Sequence, residues 1–546
     1  MSDLVLELAN VWKELMPHES YVGGWTDSGG RIFLPDKGTV GSIEERLSSL
    51  WSETSDLSHR SLLRWARTRV RVPEPHQGVE EVIQAATGHL MRSGPGSPDM
   101  GRLLISASRR LDLDMDRFPA DDVPLEMRFL VLDRLTLLGS LIKNLPESFQ
   151  YSRERDALLS GMERMSALYK IPDLKESRVH EPLQLLDTGD GTLGRDATFD
   201  TILQDLHSFS IRKEQIESEL QVELYRTIPR FKVNMKKMSD ELGVEMDMDE
   251  IDTAMVWELR VGKGHIMDFI SDHREALLSW LDRTFMDVPR TAPLRMVEAP
   301  PYLSPFVGAG FMFNYNGLVG SPSSLFFIDK RDRRSSELSI PRLSLMVLRE
   351  DAASRTAYLN SFRNISLEET LPDLLERPST RSTADAFILF VEDTAISRAF
   401  ELMDEGSEVL GRTLTSVKGD FRVEDLVISI QYLSVRDRVL SLISGICDVR
   451  VNSGKQTLPD MVRWAHIITG IGTGPILRAC TKALVYPGRP STSLMTHRSI
   501  RGLHEKWLGE GASTRDFLRR LSSVGYPELR RLVDIMDYKE SSTFSR

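Results

Sequence analysis

Apolar residues recur at three- and four-residue steps over most of the chain. In residues 201–243, TILQDLHSFSIRKEQIESELQVELYRTIPRFKVNMKKMSDELG, the stripe runs through Ile202, Leu203, Leu206, Ile216, Leu220, Leu224, Ile228, Phe231 and Met235. That is the period of long helices that bury one face. It continues through VEDLVISIQYLSVRDRVLSLISGI (423–446) and STRDFLRRLSSVG (513–525). Two segments depart from it. YVGGWTDSGGRIFLPDKG (21–38) is too rich in Gly, Pro and Asp to be helical, and APPYLSPFVGAGFMFNYNGLVGSPSSLFFIDKRD (299–332) runs from a Pro-rich bend to a short apolar strand, SLFFI. The pattern predicts a mainly α protein, a large multi-helix body with a small β-sheet supplied by the middle segment. HEPLQLLDTGDGTLGRDA (180–197) reads as a connector. It divides the chain into an N-terminal helical region, 1–195, and a second helical region, 196–546, expected to act as one continuous unit.

Composition changes this picture only in what it excludes. The 546 residues are 41% hydrophobic and 27% charged, ordinary for a globular protein with a large core. Formal net charge is −11, so the overall field repels nucleic acid and anionic lipid, and neither is expected as a partner. The basic run KRDRR (330–334) reads as solvated loop charge. The only two cysteines, Cys447 and Cys480, lie in apolar helical contexts, which points to buried free thiols in a reducing compartment. The opening MSDLVLELANVWKELM lacks a signal-peptide pattern, and no apolar run is long enough to span a bilayer. A cytoplasmic location is expected.

Local motifs carry little chemistry. GIGTGP (470–475) follows a helix-period segment instead of a strand, so it reads as a loop before a new helix and not as a dinucleotide site. DTGDGTLGRD lacks the alternating ligands and closing Glu of a calcium loop. The 11 histidines include no HExxH pair. His265 and His273, and His497 and His504, have spacings that can share a helix face, but read as surface or hydrogen-bonded core residues. No nucleophile elbow of the G-x-S-x-G type appears.

Five stretches in order carry a resemblance. LGRDATFDTILQD precedes a long helix; VEAPPYLSPFVGAGFMF is followed by SLFFID; then come FVEDTAISRAFELMDE, LVYPGRPSTSL and DFLRRLSSVGYPELRRLV. Together they resemble the helical zinc-peptidase-like family catalogued as domain of unknown function eight-eight-five, similar in architecture to HExxH carboxypeptidases and oligopeptidases. The resemblance spans nearly the whole chain. It implies a cleft in which a His-Glu-x-x-Pro-Gly-His-His stretch and a downstream glutamate hold zinc, where bound water becomes a nucleophile.

This chain departs from that pattern at the chemistry. Two stretches align with the metal motif, and the choice between them stays open. LREDAASRT (348–356) places Arg349 and Glu350 at the His-Glu positions, with Arg355 nearby; LEETLPDLL (367–375) places Glu368 and Glu369 there. Neither supplies an imidazole, because no histidine occurs between His273 and His466. Of the metal-site positions, Glu350 or Glu369 and the downstream Glu392 remain as carboxylates. The family's Pro-Gly-Gln-Ala turn and following Tyr fall on Arg489, Pro490 and Ser493, and its Asp-Thr-Gly-Leu-His stretch keeps Asp448 but puts Asn452 at the histidine. The candidate pocket is therefore Arg349, Arg355, Asp448, Asn452, Arg489 and Ser493. Three expectations follow: no zinc or other cofactor, no hydrolysis by the family mechanism, and a retained cleft that takes a peptide or small molecule. A guanidinium, Arg349 or Arg355, is expected to replace the cation by pairing with Glu350 or Glu392. The alternatives are an active metal-dependent hydrolase with a site rearranged around His497, His504 and Glu392, and a structural assembly subunit.

Overall fold

A computed structural model describes residues 3–23, 25–146, 149–171, 193, 195–259, 266–284, 286–287, 294–307, 310–315, 323–328, 339–349, 377–401, 423–523 and 527–537. The regular structure is mainly α. The first half supplies α1 (Asp3–Leu15), α2 (Pro17–Val22), α3 (Lys37–Glu53), α4 (Leu57–Arg71), α5 (Gln77–Ser93), α6 (Pro98–Arg117), α7 (Leu125–Lys143) and α8 (Ser152–Leu168). The rest supplies α9 (Lys213–Leu242), α10 (Met248–Leu259), α11 (Ile266–Thr284), α12 (Ile340–Met346), α13 (Pro378–Glu401), α14 (Val423–Asn452) and α15 (Leu458–Thr469). It ends with α16 (Thr473–Val485), α17 (Arg489–Gly509), α18 (Thr514–Ser523) and α19 (Leu529–Asp537).

Local chemistry sets many boundaries. Asp36 accepts from the Thr39 amide at 3.0 Å to start α3, and Asp56 accepts from the Ser58 and His59 amides to start α4. Ser97 with Pro98, and Thr457 with Pro459, open α6 and α15 in the same way. The GIGTGP stretch is the break between α15 and α16: Gly470 closes α15 at φ 75°, a left-handed conformation that glycine adopts without a Cβ penalty. The Gly, Pro and Asp segment at 21–38 is irregular apart from the end of α2, one 3₁₀ turn at Thr26–Ser28 and the first two residues of α3.

At the centre lies α14. Tyr432, Val439, Leu442, Ile443, Ile446, Cys447, Val449 and Val451 along it are all buried, because α9, α12, α16 and α17 pack around it. Such a helix has buried residues on all sides, and each buried polar residue on it must find a partner inside the protein. On α9, Ile216, Leu220, Leu224, Ile228 and Phe231 form the buried stripe, with Met235 partly buried. α13 packs along α17. The middle segment forms a three-stranded sheet, β1 (Leu294–Glu298), β2 (Gly310–Tyr315) and β3 (Ser323–Ile328), in the order β1-β3-β2. β1 and β3 run parallel with Leu294 opposite Ser324, and β2 and β3 antiparallel with Gly310 opposite Ile328. The SLFFI strand is β3. One hydrophobic core runs from α5 to α19, and a second, around Trp12 and Trp65, joins α1, α3 and α4. Cys447 and Cys480 are buried free thiols. No helix among the described residues is long and apolar enough to cross a membrane.

Candidate functional site

α12 runs into a short π-turn that carries Arg349. Its guanidinium grips Glu392 of α13 with two hydrogen bonds, one from Nε and one from Nη2 to Oε1 at 2.8 Å, and donates from Nη1 to Asp437 of α14 at 2.8 Å. Glu392 also accepts from the Ser434 hydroxyl at 2.7 Å. Asp437 is shared by three arginines: Arg342 reaches it at 2.7 Å and Arg436 at 3.1 Å, besides Arg349. Arg436 reaches on to Asp252, which accepts from Tyr432 at 3.2 Å. Three guanidinium groups and three carboxylates therefore form one half-buried network on the central helix. Burial would raise the Asp437 carboxyl, but the three arginines outweigh it and hold it far below the usual carboxylate range. Burial likewise opposes the charge on Arg349, and Glu392 and Asp437 overcome it, raising its affinity for the proton.

This network occupies the position that the 348–356 alignment assigns to metal chemistry. Glu350, Arg355 and Glu369, with the whole 367–375 stretch, lie outside the described residues. Zinc asks for neutral imidazoles and carboxylates with free lone pairs aimed at one point. Here the Glu392 and Asp437 oxygens are turned onto guanidinium groups, so these residues do not fit a zinc ion. Among the described residues no group of three or more His, Cys, Asp and Glu side chains could hold a metal ion. His497 and His504 have separate partners: Arg438 donates to Nδ1 of His497 at 2.9 Å and Asp393 lies 3.0 Å from its Nε2, while Nε2 of His504 faces the Thr514 hydroxyl at 3.1 Å.

Asp448, Asn452, Arg489 and Ser493 gather around the first turn of α17 without forming one pocket. Asp448 accepts from the Gly488 amide at 2.8 Å, the Ser491 amide and hydroxyl, and the Asn452 amide group at 2.8 Å, so it caps α17 from the neighbouring helix. Burial raises its carboxyl to about 6 despite those donors. The Asn452 carbonyl accepts from Arg195 at 2.7 Å, and Arg195 grips Glu74, tying the first half of the chain to the second. Arg489 and Ser493 turn instead toward Asp385 of α13, which takes Nε of Arg489 at 2.8 Å and Nη2 at 3.0 Å.

Of the described candidate pocket residues, Arg489 alone lines a partly open cleft with a cavity volume of about 130 Å³. Its walls come from α2, α4, α5, the 206–207 turn, the start of α13 and the 485–489 turn. Among the described residues the cleft is lined by four arginines (Arg69, Arg377, Arg381 and Arg489), three histidines (His18, His76 and His207) and two glutamates (Glu80 and Glu81), beside Trp65, Val72 and Leu206. Burial pushes each histidine down to about 4, so all three are neutral near pH 7. Gly488 fixes one wall: at φ 83° it turns the chain, and a Cβ there would meet the His207 ring at 2.6 Å. The sequence reading missed nearly all of these residues, and Asp437 too. For Asp437 a signal existed, the triplet Arg436-Asp437-Arg438 inside an otherwise apolar helix.

No family model matches the chain, and no curated protein matches it. Among the solved structures that share its fold are two lipoprotein candidates. A lipoprotein candidate from Colwellia psychrerythraea aligns with a TM-score of 0.64 at 10% identity, covering 98% of this chain and 98% of that one. A lipoprotein candidate of unknown function from Shewanella oneidensis aligns at 0.66 and 10% identity, covering 98% of this chain and 100% of that one. At that identity the likeness establishes the fold alone.

Proposed function

We propose that this protein is a peptidase-shaped binding protein that holds no catalytic zinc and does not hydrolyse peptides by a metal-water mechanism. The observation that carries this reading is the Arg349 guanidinium bridging Glu392 and Asp437. A divalent cation there would meet three guanidinium groups within reach of the same carboxylates, and at about 4 Å and an effective dielectric of about 20 each such encounter costs about 8 kcal/mol of repulsion for a double charge. The charge that zinc would neutralise is already balanced, so the network holds α12, α13 and α14 together without it. A ligand site in the separate arginine-lined cleft is the role this reading leaves to the molecule.

The test is metal analysis of protein purified without chelator or added metal, together with a peptide-hydrolysis screen run with and without zinc. The expected result is less than about a tenth of a zinc per chain and no zinc-dependent cleavage. One tightly held zinc per chain with peptidase activity that follows it would overturn the reading.

A further inference from the structure

The cleft between α4, α5, α13 and α17 has a chemistry of its own. Among its lining residues arginines outnumber glutamates four to two, and the three histidines add no charge near pH 7. The acids that balance Arg377, Arg381 and Arg489 are Glu528, Glu19 and Asp385, none of which lines the cleft. Donors are left over. Asp385 takes Nε and Nη2 of Arg489, and Leu15 and Glu81 take Nε and Nη2 of Arg69. Arg377 is fully buried, gives Nη2 to Glu528 at 2.9 Å and Nε to Ser379, and its Nη1, itself closed to solvent, has no hydrogen-bond partner among the described residues. A buried guanidinium with an unmet donor is costly unless something accepts from it.

The backbone adds to this field. Arg377, Pro378 and Arg381 belong to the first turn of the 24-residue α13, and Pro487 and Arg489 to the start of the 21-residue α17. Two helix N-termini therefore stand at the same cleft, that of α17 already capped by Asp448 and that of α13 with its positive dipole end toward it. Crowding of like charge is visible in Arg69, whose affinity for its proton is lowered by burial and by Arg110 and Arg381 despite Glu81. The lining also includes the apolar Met16, Trp65, Val72, Leu206 and Val485.

We propose that this cleft binds a small carboxylate monoanion with a short apolar body, the carboxylate set among Arg377, Arg381 and Arg489 and the body against Trp65, Val72 and Leu206. Glu80 and Glu81 on the same walls disfavour a dianion such as phosphate. The planar fork of arginine matches a carboxylate edge. The proposal rests on the ligand-binding half of the function above and is independent of the loss of zinc.

The test is calorimetric titration of the full chain with N-acetyl-leucine, its methyl ester, a tripeptide ending in a free leucine carboxylate, and inorganic phosphate at matched ionic strength. N-acetyl-leucine or the tripeptide should bind, the first alone marking a free acyl acid and the second alone a peptide C-terminus. The ester and phosphate should bind at least about tenfold more weakly. Arg489→Gln should weaken the acid by about tenfold or more; if that variant does not fold, Arg489→Lys, which keeps a cation beside Asp385 but loses the fork, should weaken it in the same direction. Equal binding of acid and ester, tighter binding of phosphate, or no binding of any probe would overturn the proposal. A zinc-free protein that binds none of them would leave the reading of the Arg349 network standing, and a zinc-loaded protein that binds the acid would do the reverse.

Discussion

Arg349 shows how one side chain can replace an ion. A guanidinium offers donors in a fixed fork, and here that fork spans Glu392 and Asp437, which stand on different helices. Glu392→Gln keeps the shape but removes one charge from a pair whose carboxylate is 3% exposed. Leaving Arg349 facing a neutral amide should destabilise the protein by about 3 kcal/mol in urea denaturation, with no change in metal content. A loss under about 1 kcal/mol, or zinc present in the wild type and absent from the variant, would contradict the account. Part of this pair was legible beforehand: under the 348–356 alignment the family resemblance implied Arg349 or Arg355 beside Glu350 or Glu392. Asp437 was signalled only by its chain neighbours Arg436 and Arg438, because the other two arginines on it, Arg342 and Arg349, reach it only after folding.

Among elements, α17 depends most on its neighbours. Its first turn is capped by Asp448 from α14 and entered through Gly488, whose left-handed backbone and missing Cβ let His207 pack against it. His207 in turn sits 2.9 Å from the Pro487 carbonyl and 3.1 Å from the Ser382 hydroxyl, joining the starts of α13 and α17. Gly488→Ala should cost about 2–4 kcal/mol, from the left-handed conformation and the contact with His207 together, and should shift the Trp65 fluorescence envelope by disturbing the cleft. An alanine variant as stable as the wild type by thermal melting would mean that this turn tolerates a Cβ. The helices themselves were legible from three- and four-residue spacing and from Pro and Gly at their ends. The cap was not, because Asp448 and Ser491 lie 43 residues apart in sequence.

For the whole molecule the balance of buried titratable groups sets the response to acid. His18, His76, His207 and His273 are pushed by burial from 6.5 to about 4. Between those values the unfolded chain binds the extra protons, so this stability is complete above about pH 6.5 and is lost as pH falls toward 4. Asp114 and Asp448 act oppositely: burial raises them from 3.8 to about 6, and the native state binds the extra protons as pH falls through that range. These four groups against these two contribute a net uptake of about two protons on unfolding, or roughly 3 kcal/mol per pH unit between about 6 and 4; burial also lowers His89 and His497, in the same direction, and raises Asp252, in the opposite one. Urea midpoints should therefore drop steeply from pH 7 to pH 4.5, and a midpoint that holds or rises over that range would show that these histidines are not buried as neutral groups.

The sequence alone determined the mainly α class, the long helices and the short middle strands, because apolar periodicity and Gly and Pro punctuation act over a few residues and are written in order along the chain. Arg349 and Glu392 were marked only as positions that the family resemblance implied, with a second alignment left open. The cleft was decided only by tertiary structure. Its walls are drawn from near residues 16–18, 65–84, 206–207, 377–381 and 485–489, segments that share no period or motif. Each arginine among them looks like surface charge until packing sets it beside the others and takes it out of water. Local rules place helices; the field inside a cleft depends on distances between residues hundreds of positions apart, and those exist only once the chain has folded.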